Sequence, residues 1–444
     1  MKKILLVIAF SVILLGCNIF KNAQVVKEKD LSSVSGLKSF LDGIPVYHAA
    51  GINYERNDGT ALDIKFSEPV VVAVATKPEK WGYFQFPSIG YRIDRSLQIK
   101  WNMAQDAIQA YGKENSGSAR STDGGKTWVS QEESETETVG SVLLPNGDGL
   151  EIITPIAIKI EDLKMPKPVG KNLYRLHDMP AIRQGVFLKR LKKGETEWKN
   201  EQASLYDPQA ARYSQAGLVP VIWRGDIRVA ADGSLVAGIY PGHLIGDDGV
   251  AIPKSGIFFY KSTDNGHSWR ILGRIPYEAD QVADPLWEKR AGFSETAFEI
   301  LRDGTFLAVM RTNDLIGNGP MYASYSKDSG VTWTKPKVIT QAGVMPRLLQ
   351  LKNGVTVMAA GRPGVQLRFS TNGKEWSDSF EMMPFSNDLE AGMTWQGAVS
   401  CGYTELLATG PDRFLIVYSD FKYKTQGGEL RKAIKVREVT VKER

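Results

Sequence analysis

Apolar and polar positions alternate along most of this chain in short runs, and the runs are broken by two recurring kinds of turn. The first is a tight Asp-Gly or Asn-Gly between two β-rich stretches, as in Ile227-Arg-Val-Ala-Ala-Asp232-Gly233-Ser-Leu-Val236, Phe298-Glu-Ile-Leu-Arg-Asp303-Gly304-Thr-Phe-Leu307 and Leu349-Gln-Leu-Lys-Asn353-Gly354-Val-Thr-Val357. Alternation with a period of two marks half-buried strands, and Asn-Gly or Asp-Gly between them marks a hairpin. The second is a phrase repeated as Ser121-Thr-Asp-Gly-Gly-Lys-Thr-Trp128, Ser262-Thr-Asp-Asn-Gly-His-Ser-Trp269 and Ser326-Lys-Asp-Ser-Gly-Val-Thr-Trp333, with a worn copy at Ser370-Thr-Asn-Gly-Lys-Glu-Trp376. Its Asp can accept backbone N–H groups just ahead, its Gly can take positive φ, and its Trp can pack back under the hairpin. Each hairpin precedes one Trp-ended phrase, which gives four strands per unit. Recurrent four-stranded units predict an all-β propeller.

The turns between the inner strands count about six blades. They fall at Ala104 to Asp106, Asn146-Gly147, Asp232-Gly233, Asp303-Gly304, Asn353-Gly354 and Pro411-Asp412. The second unit lacks a clear phrase, although Leu191-Lys-Lys-Gly194-Glu-Thr-Glu-Trp198 stands where one would fall. The last unit runs out of chain after Ala433 to Val441, so its outermost strand is expected from around Ile64 to Ala75, closing the ring. Residues 61–444 therefore read as one six-bladed propeller domain, preceded by a linker and lead-in over 18–60.

The 444 residues are 42% apolar and 24% charged, ordinary for a globular chain. The formal charge of +5 is small and the basic residues are dispersed, which argues against a nucleic-acid partner. Met1-Lys2-Lys3 and the apolar run from Ile4 to Leu15 have the form of an export signal, too short for a comfortable membrane span. It ends in Leu14-Leu15-Gly16-Cys17, which resembles a bacterial lipoprotein processing site. Residues 1–17 are thus read as a signal peptide with Cys17 lipidated, tethering the protein to a membrane of the bacterial cell envelope. Cys401 is the only other cysteine, so no intrachain disulfide is expected in the processed chain. The four histidines show no ligand spacing, and no metal site is expected.

Several stretches resemble the sialidase superfamily in one colinear order. Gly90-Tyr91-Arg92-Ile93-Asp94, followed by Ala119-Arg120 and the first Trp-ended phrase, is similar to that family's aromatic-Arg-Ile-Pro opening and first Asp box. Ser294-Glu295-Thr-Ala-Phe-Glu-Ile-Leu-Arg-Asp-Gly-Thr-Phe-Leu-Ala-Val-Met-Arg311 resembles its Asn-Glu-Ser stretch leading to an arginine. Gly361-Arg362-Pro-Gly-Val-Gln-Leu-Arg368 is similar to its third arginine strand, and Gly402-Tyr403-Thr-Glu-Leu-Leu to the strand that presents its tyrosine. The resemblance implies an exo-acting glycoside hydrolase cleaving terminal acidic sugars from glycans. Arg92, Arg311 and Arg362 would surround the sugar carboxylate, since a guanidinium fork matches a carboxylate bidentately. Tyr403 would be the nucleophile and Glu295 would take its proton, because a neutral hydroxyl meets a carboxylate-bearing anomeric carbon without charge repulsion. No metal or organic cofactor is implied.

Two departures stand out. Asp94 replaces the family's Pro after Arg-Ile. The loop that should carry the family's acid/base Asp reads Ala110-Tyr-Gly-Lys-Glu114-Asn-Ser-Gly-Ser-Ala-Arg120, whose single carboxylate is Glu114. Asp106 reads as part of a hairpin turn at the wrong end. Glu114 is therefore the candidate acid, with His243 in Tyr240-Pro-Gly-His243 or Asp226 in Arg224-Gly-Asp226 as alternatives for a glycosidase acting on another sugar. A glycan-binding surface lipoprotein without turnover is the reading from a different class.

Overall fold

A computed structural model describes residues 38–41, 44–48, 52–55 and 61–444, except 93, 114, 132–141, 247, 315–318 and 384–397. The expected signal peptide, the lipidated Cys17 and the candidate acid Glu114 lie outside the described residues. Those described form strands joined by turns and single 3-10 turns, with no α-helix among them.

The strands follow one another as antiparallel four-stranded meanders. The first comprises Tyr83–Tyr91, Leu97–Met103, Ser116–Ser121 and Val129–Gln131. The second comprises Val142–Leu143, Gly149–Ile152, Val186–Leu191 and Lys199–Tyr206, and the third Arg224–Val229, Leu235–Gly242, Gly256–Ser262 and Ser268–Ile275. Their last strands pair in parallel, joining these two edge to edge. The fourth comprises Arg290–Ile300, Phe306–Asp314, Met321–Ser326 and Lys337–Thr340, and the fifth Val344–Gln350, Thr356–Gly361, Val365–Ser370 and Ser379–Met383. The last holds Thr404–Ala408, Arg413–Lys424 and Leu430–Glu443. Its open edge is covered from the N-terminal side, Ala61–Phe66 pairing with residues 439–443 and Val70–Val74 with residues 433–436.

The apolar faces of neighbouring sheets bury one another. Between the third and fourth, Phe259, Phe298, Phe306 and Tyr322 are buried together, and the Phe259 ring stacks on Trp333 at 4.1 Å. Burying one such side chain is worth about 1.5–3 kcal/mol, which is why the Trp of each repeated phrase is first a packing residue. The phrases themselves fold alike. Asp123 Oδ1 accepts the Thr127 N–H at 3.0 Å, Gly125 N–H donates to Ser121 Oγ at 2.9 Å, and the Trp128 indole donates to Gly125 O at 3.0 Å. Asp264 and Asp328 accept Ser268 and Thr332 N–H in the same way, and in the worn copy Asn372 accepts Lys374 and Glu375 N–H.

The first sheet corrects one expected turn. The hairpin between its first two strands lies at residues 92–96, not at Ala104 to Asp106, because Tyr91 pairs with Leu97 and Tyr83 with Met103. Asp94 makes the turn by accepting Ser96 N–H at 2.9 Å, as Asp232 does for Ser234 and Asp303 for Thr305. Arg95 takes positive φ there, a position filled by Gly147, Gly233, Gly304 and Gly354 in the corresponding turns. Residues 104–115 become the link between the second and third strands.

Candidate active site

The first strands of the third, fourth, fifth, last and first sheets lie side by side in that order, and the candidate side chains gather on and beside them. Glu295 lies within Arg290–Ile300 at a register shift between Ser294 and Thr296. Such a bulge re-aims one side chain out of the ladder. Arg311 is opposite Ser294 on the adjoining strand and donates from Nη1 to Glu295 Oε1 at 2.8 Å. Tyr403, just ahead of Thr404–Ala408, donates its hydroxyl to the same Oε1. Met345 N–H donates to Oε2 at 2.9 Å, so both carboxylate oxygens of Glu295 are held.

Arg362 approaches from the fifth sheet. Its Nε donates to Cys401 O at 3.0 Å, and its guanidinium lies 5.7 Å from the Tyr403 ring centre and 5.6 Å from that of Trp81. This close packing depends on glycine: a Cβ on Gly361 would stand 2.1 Å from Gly402 Cα, and Gly402 itself has φ +79°. Phe86, Glu295, Met345 and Arg362, all in contact with this cluster, take positive φ. Each such residue costs about 1–3 kcal/mol and persists only where the surroundings hold it.

Burial drives the electrostatics. The Tyr403 phenol is pushed well above its ordinary range, first by burial and then by the Glu295 carboxylate, with Arg311 and Arg362 opposing. Burial also lowers Arg362, against the attraction of Tyr403. The resting tyrosine is thus a neutral hydroxyl already bonded to a base.

The aromatic side of the cluster leads to a carboxylate. Phe86 lies 4.9 Å from the Tyr403 ring, Trp81 packs edge-on to Phe86 and Phe421, and the Trp81 indole donates to Asp106 Oδ2 at 3.1 Å. Asp106 is exposed. The same loop carries Tyr111, over which the exposed Arg224 sits at 5.8 Å.

Of the residues expected from the sequence, Tyr403, Glu295, Arg311 and Arg362 come together. Arg92 does not: it belongs to the hairpin turn at the far end of its strand and donates to Gln131 at 3.1 Å on the outermost strand. The alternatives are committed elsewhere. Asp226 accepts Phe298 N–H at 3.1 Å and pairs with Arg347 and Arg228, within a network that also holds Glu299 and Glu405. The His243 ring packs edge-on to Tyr213, and burial lowers its pKa.

The reading of the sequence missed Trp81 and Gln85, and set Asp106 aside as a turn residue. The first strand runs through Phe84-Gln85-Phe86-Pro87. Gln85 is fully buried, and its Oε1 accepts Gly82 N–H at 2.9 Å.

No protein-family model matches the sequence, and no curated protein matches it. Among solved structures, a protein of unknown function from Dyadobacter fermentans aligns over 85% of this chain and 99% of its own, at 16% identity and a TM-score of 0.55. The Hadza microbial sialidase Hz136 aligns over 81% of this chain and 65% of its own, at 14% identity and 0.46. An α-L-arabinanase from Penicillium chrysogenum, complexed with arabinobiose, aligns over 83% and 98%, at 14% identity and 0.48. The likeness to the Dyadobacter protein is one of fold.

Proposed function

We propose that this chain is a retaining exo-glycosidase built on a six-bladed propeller, removing a terminal acidic sugar from glycans. The observation that carries the reading is the Tyr403–Glu295 hydrogen bond with Arg311 and Arg362 beside it. A hydroxyl bonded to a carboxylate base, inside a cationic pocket, is the arrangement of an activated nucleophile. The succession of four-stranded sheets, with the last covered by residues 61–74, supports the propeller.

In the first step the Tyr403 oxygen attacks the anomeric carbon, its proton passes to Glu295, and the leaving oxygen takes a proton from a carboxylic acid. We assign that acid to Asp106, on the exposed rim beside Trp81. In the second step water attacks the glycosyl-tyrosine. Asp106 takes the water's proton, and Glu295 returns one to the tyrosine oxygen. Arg311 and Arg362 bind the substrate's acidic group; side chains and water account for every proton. The signal-like residues 1–17 support a lipid anchor at Cys17 on the bacterial cell envelope.

A second reading concerns the sugar. Two arginines, Arg311 and Arg362, stand at the cluster where the family resemblance gives three, which favours an acidic sugar other than sialic acid. The test is release of fluorophore from a sialoside and from a panel of uronides and neutral glycosides. Tyr403→Phe is expected to abolish turnover, and Asp106→Asn to lower it about 10²–10⁴-fold on substrates with poor leaving groups. Equal turnover by Tyr403→Phe would overturn the mechanism, and no turnover of any glycoside would favour the binding reading.

A further inference from the structure

Away from the catalytic cluster, the segment that links the second and third sheets covers a cavity of about 20 Å³. Arg212, Tyr213, Trp223, His243, Phe258 and Tyr260 are among its lining residues, and the lining includes no carboxylate and no amide side chain. Arg212 is 6% exposed. Its Nε and Nη2 donate to the carbonyls of Arg183 at 3.2 Å and Gly185 at 2.7 Å. Its Nη1 has no acceptor, and its charge has no carboxylate partner, among the described residues. The neighbouring Arg183 is 5% exposed and has no carboxylate partner among them either. Asp207, which the Tyr260 hydroxyl reaches at 3.0 Å, is already paired with Arg274 at 2.5 Å.

Two further donors border the same space without acceptors. Trp223 Nε1 is buried with no hydrogen-bond partner. His243 makes none among the described residues, and its ring packs edge-on to Tyr213. A buried guanidinium without counter-charge is unfavourable, and burial draws Arg212 down to about 10. The volume exceeds the roughly 10–15 Å³ that one water needs. Water can accept from these donors but cannot offset the guanidinium charge. A halide accepts from all of them and neutralises the charge.

We propose that this cavity is a site for a small monovalent anion, of which chloride is the type, held by Arg212 Nη1 with the Trp223 indole and His243 as further donors. Binding only to the folded chain raises stability with the logarithm of anion concentration. The melting temperature of the full chain is expected to rise by about 1–3 °C from 1 to 100 mM chloride, gluconate keeping ionic strength constant. Arg212→Gln should lose this dependence, whereas the surface substitution Arg270→Gln should keep it. Because Arg212→Gln can fail to fold, crystals of the unaltered protein grown in bromide give an independent answer. An anomalous peak within hydrogen-bond reach of Arg212 is expected. A cavity holding only water in bromide would overturn the proposal, as would a chloride dependence unchanged in Arg212→Gln. Neither outcome bears on the glycosidase reading, which is tested by turnover.

Discussion

The fourth sheet turns between its first two strands at Asp303-Gly304-Thr305, and the first sheet turns at Asp94-Arg95-Ser96. Both aspartates accept the N–H two residues ahead, at 2.9 Å. In one the middle residue is Gly304 at φ +83°, in the other Arg95 at φ +69°. The shared device is the carboxylate, while glycine only lowers its strain. The contrast extends to what the first strands deliver. Arg290–Ile300 brings Glu295 into contact with Tyr403 and Arg311, and Tyr83–Tyr91 brings an aromatic wall, with its arginine left at the turn.

The largest effect that can break this contrast is kinetic. Glu295→Gln should lower kcat by about 10²–10⁴-fold, because the proton of Tyr403 loses its acceptor. Arg92→Ala should leave kcat/KM on an acidic glycoside within about twofold, since surface substitutions away from a site are near neutral. A loss at Arg92 as large as that at Glu295 would place it back in the pocket and overturn the register of the first sheet.

The same contrast explains what the sequence disclosed. In the fourth and fifth sheets, Asp303-Gly304, Asn353-Gly354 and the Trp-ended phrases fix each strand's position, so the stretches that resemble the sialidase superfamily could be set on the inner strands with Glu295, Arg311 and Arg362 in place; the last sheet carries neither signal, and Tyr403 rested on the resemblance alone. The first sheet hides its turn, because Arg95 replaces the glycine that announces one. Reading Tyr91-Arg92-Ile93 as the first inner strand shifted everything after it, moved Asp106 from the link between strands to a turn, and removed it from consideration as an acid. The buried anion site had no local signal at all, because Arg212, Trp223 and His243 meet only through tertiary packing.

A stability measurement sharpens the comparison of the turns. A Cβ added at Gly304 would meet nothing within 4 Å, so Gly304→Ala isolates the cost of positive φ. It should destabilise by about 1 kcal/mol in chemical denaturation. Arg95→Gly should have the opposite sign and a smaller size, about 0.5 kcal/mol of stabilisation, because relief of strain is partly offset by the freedom glycine gains when unfolded. Destabilisation by Arg95→Gly would show that the arginine side chain itself holds the turn.

The smallest effect separates the carboxylates from the backbone of the turns. Asp94 is held below its ordinary pKa of 3.8 by the Ser96 hydroxyl, then the Ser96 N–H, with Arg120 assisting. Asp303 is lowered first by the Thr305 N–H. A carboxyl whose folded pKa lies below its unfolded value contributes stability that is complete above the unfolded pKa and is lost as pH falls through the folded one. Asparagine keeps the acceptor for the turn N–H but carries no charge. Asp94→Asn and Asp303→Asn should therefore be less stable than the parent at pH 7, and the difference should shrink as pH falls below about 4. The shrinkage should be greater for Asp94, which is ion-paired with Arg120, whereas Asp303 has no ion pair among the described residues and feels Lys374 at longer range. Denaturation midpoints compared at pH 7 and pH 2.5 measure it. A gap that stays constant with pH would mean that the turns are held by shape, and that the hidden turn of the first sheet owes nothing to its charge.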